Sequence, residues 1–324
     1  MTRFTSPAAR KQSIEDAFVS RYWELIYTEH QGFPATLLSA LQERLDHIDR
    51  ASWPERFAWG GIFVNGKEAS GEMELPFPCR IEYYEPRFDY HDPYSFFPRF
   101  DPRWIVHQDD DIICAFKPAK LPSLPAREQK RYCLKVYLED HLGHSVHMPS
   151  RLDMSTSGLL VLSHSARAHN KLQRAFETRR VQKYYLLETA SAVEFNEKTI
   201  DSAIGKDPDH PILRKIVSTQ GKPALTHFRV LSRGTFHGTE GDCPSTILLA
   251  QPRTGRTHQI RVHALYNGFP IIGDTFYGGQ PDSELHLVSA RIVLEHPITR
   301  KAIDITLPQE FIPRWAQGVG FSLG

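Results

Sequence analysis

Two segments carry side chains whose types and spacing suit covalent or acid–base chemistry. The first is Ser150-Arg151-Leu152-Asp153-Met154-Ser155-Thr156-Ser157-Gly158, which runs into the apolar stretch Leu159-Leu160-Val161-Leu162. An arginine and an aspartate two positions apart stand at the mouth of a loop. The loop closes with a Thr-Ser-Gly turn and enters an unbroken apolar strand. A buried strand directly behind gives one carboxylate, Asp153, a rigid support, as a catalytic nucleophile or general base requires. Taken alone, the same residues also suit a solvated turn. The second segment is Arg253-Thr254-Gly255-Arg256-Thr257-His258-Gln259-Ile260-Arg261-Val262-His263.

Together the two segments resemble the ribosomal large-subunit pseudouridine synthase A family. The first is similar to that family's Arg-Leu-Asp-x-x-Thr-Ser-Gly signature, and the second to its Thr-Gly-Arg-x-His-Gln-(Ile/Leu)-Arg-Val-His signature. Phe116-Lys117-Pro118-Ala119, Lys183-Tyr184-Tyr185, Gly221-Lys222-Pro223-Ala224-Leu225-Thr226 and Gly268-Phe269-Pro270-Ile271-Ile272-Gly273-Asp274 follow the family order as well. The likeness runs from about Trp104 to about Pro308, roughly two thirds of the chain.

The resemblance implies an RNA pseudouridine synthase. Such an enzyme breaks the N-glycosidic bond of a uridine in RNA, rotates the detached uracil and rejoins it through carbon 5. On this reading Asp153 is the nucleophile and Arg261 its partner. A guanidinium stays charged at any working pH and holds a carboxylate in a fork. Tyr185, 32 residues after Asp153, supplies a ring to stack on uracil and a hydroxyl for proton transfer; a tyrosine in a strand equally suits a core. Arg151 fills the gap left when the uridine flips out of its stack, a step costing a few kcal/mol. The family usually has histidine where this chain has Ser150, so altered clasping of the flipped nucleotide is expected. Lys117 and Pro118 suit packing under the cleft or a part in catalysis. His258 and His263 invite a metal reading, but no third ligand accompanies them, and a structural or RNA-contacting role is expected instead.

Phosphate contacts are expected from one basic tract. Residues 166–183 hold six Lys/Arg (Arg167, Lys171, Arg174, Arg179, Arg180 and Lys183) and one Glu. Arg167, Lys171 and Arg174 share one face of an amphipathic helix, a rail for an RNA backbone. Arg214, Lys215, Arg253 and Arg256 extend it. Net charge is only +1, but residues 1–86 hold nine Lys/Arg against thirteen Asp/Glu, which leaves +5 for the rest. The phosphate-binding surface therefore belongs mainly to the C-terminal part.

Three parts are expected: a small N-terminal domain over 1–86, a connector over 87–103 and a catalytic domain over 104–324. Residues 12 to about 50 read as helical from Ile14, Phe18, Tyr22, Leu25 and Ile26, then Leu37, Leu38, Leu41, Leu45 and Ile48. Gly60 to Lys67 reads as a short strand with an Asn-Gly turn. This helix–helix–strand order over Leu37 to Tyr84 resembles the small RNA-binding domain named for ribosomal small-subunit protein four. Here Glu43, Asp46, Asp49 and Glu55 oppose Arg44, Arg50 and Arg56, as in a degenerate copy or a plain packing appendage. The connector is dense in proline and aromatic residues (Phe88, Tyr90, Pro93, Tyr94, Phe96, Phe97, Pro98, Phe100, Pro102), an extended segment whose rings are expected to pack on the catalytic domain, the alternative being to stack RNA bases.

Beyond residue 104, strands are expected at 112–116, 158–162, 183–187, 226–231, 245–250 and 301–307, and helices at 134–142 and 166–178. Strands without regular helix alternation imply an α+β fold with a large mixed, mainly antiparallel sheet. Hydrophobic content of 40% and charged content of 24% are those of a globular protein. No apolar run approaches the ~18 residues that span a bilayer. Met1 to Pro7 lacks a secretion signal's apolar core. The four cysteines (Cys79, Cys114, Cys133, Cys243) are scattered, without disulfide or zinc spacing. The expectation is a cytoplasmic, cofactor-free monomer that acts on ribosomal or transfer RNA. The competing class is a non-catalytic RNA-binding or ribosome-assembly protein on the same scaffold. A glycoside hydrolase fits poorly, because no second carboxylate lies in the signature segments.

Overall fold

The computed structural model describes residues 19–86, 97–125, 131–208, 210, 212–238 and 241–319. They group into two compact units, one drawn from Met1–Phe97 with Leu124–Val136, the other from Pro98–Ser123 with Tyr137–Gly324.

In the first unit, strand β1 (Val19–Tyr27) precedes helices α1 (Leu37–Arg44) and α2 (Trp53–Trp59). Strands β2 (Ile62–Val64), β3 (Lys67–Glu68) and β4 (Cys79–Pro86) follow. The sheet order is β1-β4-β2-β3, antiparallel throughout. Thr36 caps α1 in a reciprocal box with Ser39. Asn65 and Gly66 turn β2 into β3 with φ of 49° and 77°, the left-handed pair that an Asn-Gly hairpin supplies. Leu37, Leu41, Trp53, Ile62, Ile81 and Tyr83 are the core.

The helical reading of residues 12 to about 50 fails over 19–27. Trp23, Leu25 and Tyr27 alternate along β1 onto the core, Tyr22 packs with Phe63 and Tyr84, and Ile26 is exposed. A period of two, carried by Trp23, Tyr27 and the leucine between them, outcompetes the apparent helical spacing. Ile14 and Phe18 lie outside the described residues, as do Phe88, Tyr90, Pro93, Tyr94 and Phe96 of the connector. Phe100 meets Trp104 and Tyr137 edge-on, within the second unit.

The second unit is built on a nine-stranded sheet. Its members are β5 (Ile105–Gln108), β6 (Ile112–Lys117), β7 (Ser157–Ser163), β8 (Gln182–Thr189), β9 (Glu197–Asp201), β12 (Leu225–Gly238), β13 (Gly241–Pro252), β14 (Leu287–Glu295) and β15 (Ala302–Thr306). Strands β10 (Ile204–Lys206) and β11 (Arg214–Ile216) form a separate ribbon. The order is β5-β6-β7-β14-β8-β13-β12-β9, with β15 also on β14, and only β7 and β14 run parallel. The expected mixed, mainly antiparallel α+β architecture is therefore present. The greater part of helix α3 (Leu134–Leu142), from Tyr137 onward, completes it together with helices α4 (Ala166–Glu177) and α5 (Gln259–Tyr266).

One transverse row of residues sets the geometry that matters. Ser289 on β14 stands opposite Gly158 of β7 on one side and Tyr185 of β8 on the other, and Tyr185 in turn opposes Ala250 of β13. Neighbouring strands lie ~4.8 Å apart, so this row brings the exit of the Asp153 loop and Tyr185 onto one floor. Gly158 has φ of 113°, and a Cβ there would stand 2.3 Å from the Ser289 carbonyl oxygen. Glycine is demanded by close backbone approach as well as by conformation.

Gly158→Ala is accordingly expected to cost about 3 kcal/mol or more, by overpacking and backbone strain together. Urea unfolding measures it. A loss below about 1 kcal/mol would mean that β7 shifts on β14 without resistance.

Candidate active site

The Asp153 loop is fixed from both flanks. Leu152 donates its N–H to Ser123 Oγ (3.0 Å), and that hydroxyl donates to the Leu152 carbonyl (2.7 Å). On the other side Met154 offers its carbonyl to Lys117 Nζ at 3.2 Å. Lys117 ends β6 fully buried, and also donates to the carbonyls of Pro118 (2.9 Å) and Leu121 (2.7 Å). Three ammonium protons meet three carbonyls. Burial pulls Lys117 down to about 7, against the opposing charge of Asp153. Of the two roles open to Lys117, its contacts are those of an anchor beneath the loop.

Arg261 comes from the opposite wall, on helix α5, and is buried. Gln259 sets that helix's entry. Its amide oxygen accepts from Thr254 Oγ1 (2.7 Å) and the Arg256 N–H (3.0 Å), while its amide nitrogen donates to Leu225 O and Thr226 Oγ1. His263 lies within the same helix with its ring nitrogens against Thr226 Oγ1 and Ser202 O, which commits it to structure.

Asp274 grips the guanidinium from behind. Arg261 Nε and Nη2 each donate to it at 2.7 Å, and Nη1 is left to face Asp153 Oδ2 at 3.5 Å. The Phe276 and Tyr277 rings lie 5.6 and 5.0 Å from the guanidinium carbon. Burial opposes the charge on Arg261, but Asp274 and then Asp153 outweigh it and hold its pKa above the usual arginine value. Asp274 also accepts the Phe276 and Tyr277 N–H groups. It follows Gly273, whose φ is 75° and where a Cβ would stand 1.7 Å from the Glu284 carbonyl oxygen.

Asp153, Tyr185 and Arg261 line one open cleft of ≈ 520 Å³, together with Arg151, Arg179, Lys183, Arg256 and His258. Burial raises the Tyr185 phenol above its ordinary value and lowers the Lys183 ammonium. Lys183 Nζ lies 5.9 Å from the Phe176 ring centre. Arg151 and Arg179 are exposed at the cleft, and Arg256 donates to the Pro223 carbonyl. The imidazole of His258 is 8% exposed and lies 3.8 Å from Asp153 Oδ2.

Other basic residues fall elsewhere. Arg167 is turned away from a free rail: it forms a two-pronged pair with Asp111 at 2.6 and 2.9 Å. Arg214 donates to the Ile212 and Leu213 carbonyls, and Lys215 meets Asp207. Lys171, Arg174 and Arg180 are exposed outside the cleft lining, as is Arg253 within it.

Asp109, Asp111 and His296 bring three donor groups of metal-ligand type together. Each is already committed. Arg167 and Ser165 hold Asp111. His296 Nδ1 accepts the N–H groups of Ile298 and Thr299, so its proton lies on Nε2, facing Asp109. Asp109 also accepts the Asp111 and Ile112 N–H groups, and despite its burial its pKa falls to about 2. The cluster ties the β5–β6 turn to the β14–β15 turn, with each of its three residues hydrogen-bonded within the protein.

Residues 111–266 match the family model described as RNA pseudouridylate synthase. The dual-specificity RNA pseudouridine synthase RluA of Vibrio parahaemolyticus is 34% identical over 223 residues, covering 67% of this chain and 87% of that protein. The ribosomal large subunit pseudouridine synthase D of Nitrosomonas europaea is also 34% identical, over 66% of this chain and 57% of its own. Among solved structures, human RNA pseudouridylate synthase domain containing 1 matches with a TM-score of 0.54 and 27% identity, over 64% of this chain and 83% of its own. The chain belongs to the RNA pseudouridylate synthase family. It is an isomerase that converts uridine in RNA to pseudouridine.

Residue-level expectations missed Asp274, Tyr277 and Ser123. Asp274 closes one of the quoted landmarks, but no spacing rule connects a residue thirteen positions after Arg261 to its guanidinium.

Two predictions follow from the buried charges. Asp274→Ala leaves Arg261 with only the 3.5 Å contact to Asp153 and should cost about 3–5 kcal/mol in urea unfolding; a loss under about 1 kcal/mol would show the guanidinium finding other partners. Lys117 titrates lower when folded than when unfolded, so between about pH 7 and 10 the unfolded chain holds the extra proton. Stability from this group therefore rises with pH across that window, by at most about 1.4 kcal/mol per pH unit, and is lost again as pH falls toward 7. Lys117→Met should remove that slope, and equal slopes for the two proteins from pH 7 to 9 would contradict it.

Proposed function

We propose that this enzyme isomerises uridines in ribosomal or transfer RNA with Asp153 as the reacting carboxylate. The observation that carries the reading is Asp153 facing Arg261 Nη1 at 3.5 Å, in the cleft that Tyr185 also lines. Catalytic hydrogen bonds are often long before substrate binds and tighten afterwards. A relative named as a ribosomal large subunit synthase supports ribosomal RNA as a substrate class, and one named as a dual-specificity RNA synthase supports more than one class of target.

The reaction breaks the bond from C1′ to N1, forms one from C1′ to C5, and moves one proton from C5 to N1. No electrons are exchanged, so the chemistry calls for no redox cofactor. Asp153 engages the sugar or base. Arg261, fixed by Asp274, positions that carboxylate. Tyr185 gives the loosened uracil a flat neighbour, and its raised pKa keeps the hydroxyl protonated for hydrogen bonding. Arg151, exposed at the cleft mouth, fills the space vacated by the flipped nucleotide. Lys171, Arg174, Arg179, Arg180, Lys183 and Arg256 supply positive charge for the phosphates, without Arg167 as a free contributor.

Asp153→Asn preserves volume and should abolish pseudouridine formation with RNA affinity nearly unchanged. Total RNA from a strain lacking the gene is the substrate, and pseudouridine mapping after incubation with wild type identifies the sites. Turnover by the asparagine variant at those sites would rule out Asp153 as the reacting group.

A further inference from the structure

His258 occupies an unusual backbone position. Its φ of 56° places it in the left-handed region immediately before α5, which costs a non-glycine residue about 1–3 kcal/mol. That conformation seats its ring edge-on against Tyr277, with centroids 5.6 Å apart at 82°. Such strain persists where surrounding contacts fix it, and here the contacts run in a definite direction.

Tyr277 is buried, and its hydroxyl accepts the Arg214 N–H at 3.0 Å. The same hydroxyl lies 2.8 Å from His258 Nδ1. A phenol has one proton to give, and among the described residues Nδ1 is the one acceptor within its reach. His258 Nδ1 therefore carries the lone pair, and the ring proton sits on Nε2. Nε2 faces Asp153 Oδ2 at 3.8 Å, beside Arg261 Nη1 at 3.5 Å from the same oxygen. Burial lowers the pKa of His258, against the pull of Asp153, which favours this neutral form. Arg261 Nη1 thus reaches Oδ2 at the limit of hydrogen-bond distance, and His258 Nε2 stands just beyond it, facing the same oxygen. Among the described residues no hydrogen bond reaches Oδ1.

We infer that His258 is a positioning residue for Asp153. Its imidazole, locked as the Nε2–H tautomer by the chain Arg214 N–H to Tyr277 hydroxyl to Nδ1, fixes Oδ2 and leaves Oδ1 as the oxygen presented to substrate. This rests on the proposed role of Asp153. It assigns His258 to the carboxylate instead of to RNA, and gives Tyr277 a task two contacts away from the chemistry.

Two measurements test it. Nitrogen NMR of the ¹⁵N-histidine-labelled free protein reads the tautomer directly. The Nε2–H form is expected in wild type, and a mixture in Tyr277→Phe. A protonated Nδ1 in wild type would overturn the inference. Single-turnover rates and affinities on unmodified transfer RNA and ribosomal RNA transcripts form the second test. His258→Ala should slow the chemical step by about tenfold to a hundredfold, the worth of a hydrogen bond to a charged group, with Kd changed by less than about threefold. His258→Gln, whose amide N–H reaches a similar place, should recover most of the rate. If His258→Ala weakens binding and leaves the single-turnover rate intact, or glutamine rescues nothing, His258 does not position Asp153. Asp153→Asn is run alongside. Activity in that variant would sink the catalytic reading itself, whereas the tautomer measurement stands or falls independently.

Discussion

The pairing of Arg261 with Asp274 is the constraint around which the second unit is arranged. A guanidinium nearly removed from water is tolerable only against a fixed counter-charge with well-aligned hydrogen bonds, since an uncompensated buried charge costs several kcal/mol. Asp274 meets that need through both oxygens, and its own position is imposed by backbone. Gly273 allows the chain to pass within contact of Glu284, and the adjoining Ile272 exchanges hydrogen bonds with the Glu188 carbonyl at the end of β8 and the His286 N–H ahead of β14. Glu188 and His286 are themselves joined at 2.8 Å. The arginine is therefore referenced to the central strands, the same strands that carry Tyr185. Because two of its nitrogens are occupied by Asp274, only Nη1 remains to address Asp153, which restricts the contact to one oxygen.

The sheet supplies the second reference. Gly158, Ser289, Tyr185 and Ala250 form one row across β7, β14, β8 and β13. A one-residue slip would turn every side chain to the other face of the sheet. The sole parallel pairing in the sheet, β7 with β14, is short, and it lies at the exit of the Asp153 loop. Close approach at Gly158 compensates for its brevity by bringing backbones into contact that any side chain would separate. Above that row, Lys117 and Ser123 clamp the residues on either side of Asp153, so the loop's conformation is set by strands β6 and β7 and leaves the carboxylate itself unencumbered.

Legibility in the sequence followed the range of the interactions involved. The Asp153 loop, the Arg261 segment and the Tyr185 strand could be read because each is a contiguous pattern. Most strands of the catalytic unit and both its longer helices could be read from local periodicity. Asp274, Tyr277 and Ser123 could not, since each acts on a residue distant in sequence through contacts that only the sheet order creates. Arg167 shows the converse limit of local spacing. Its spacing with Lys171 and Arg174 places it on a basic face, but Asp111, held at the β5–β6 turn far away in the chain, takes its guanidinium. In β1 the aromatic residues satisfied two periods at once. Pairing with β4 decided between them, and a strand's partner is not written in the strand.

The density of buried polar groups explains how an open cleft can remain ordered. Lys117, Gln259, Arg261, His263 and Asp274 are all buried, and each spends its hydrogen-bonding capacity on a partner whose position is fixed by the backbone. A half-satisfied network of this kind would be worse than an apolar core, but a satisfied one admits a single arrangement. Preorganised donors act at a reacting centre without reorganising when charge develops there. The cost of orienting Arg261 and the Asp153 loop is met during folding, before any RNA arrives. Under the proposed function, what binding must then supply is the energy to extract a uridine from its stack, and Arg151 and Arg179, exposed at the cleft, are the cations proposed to meet phosphate and vacated space.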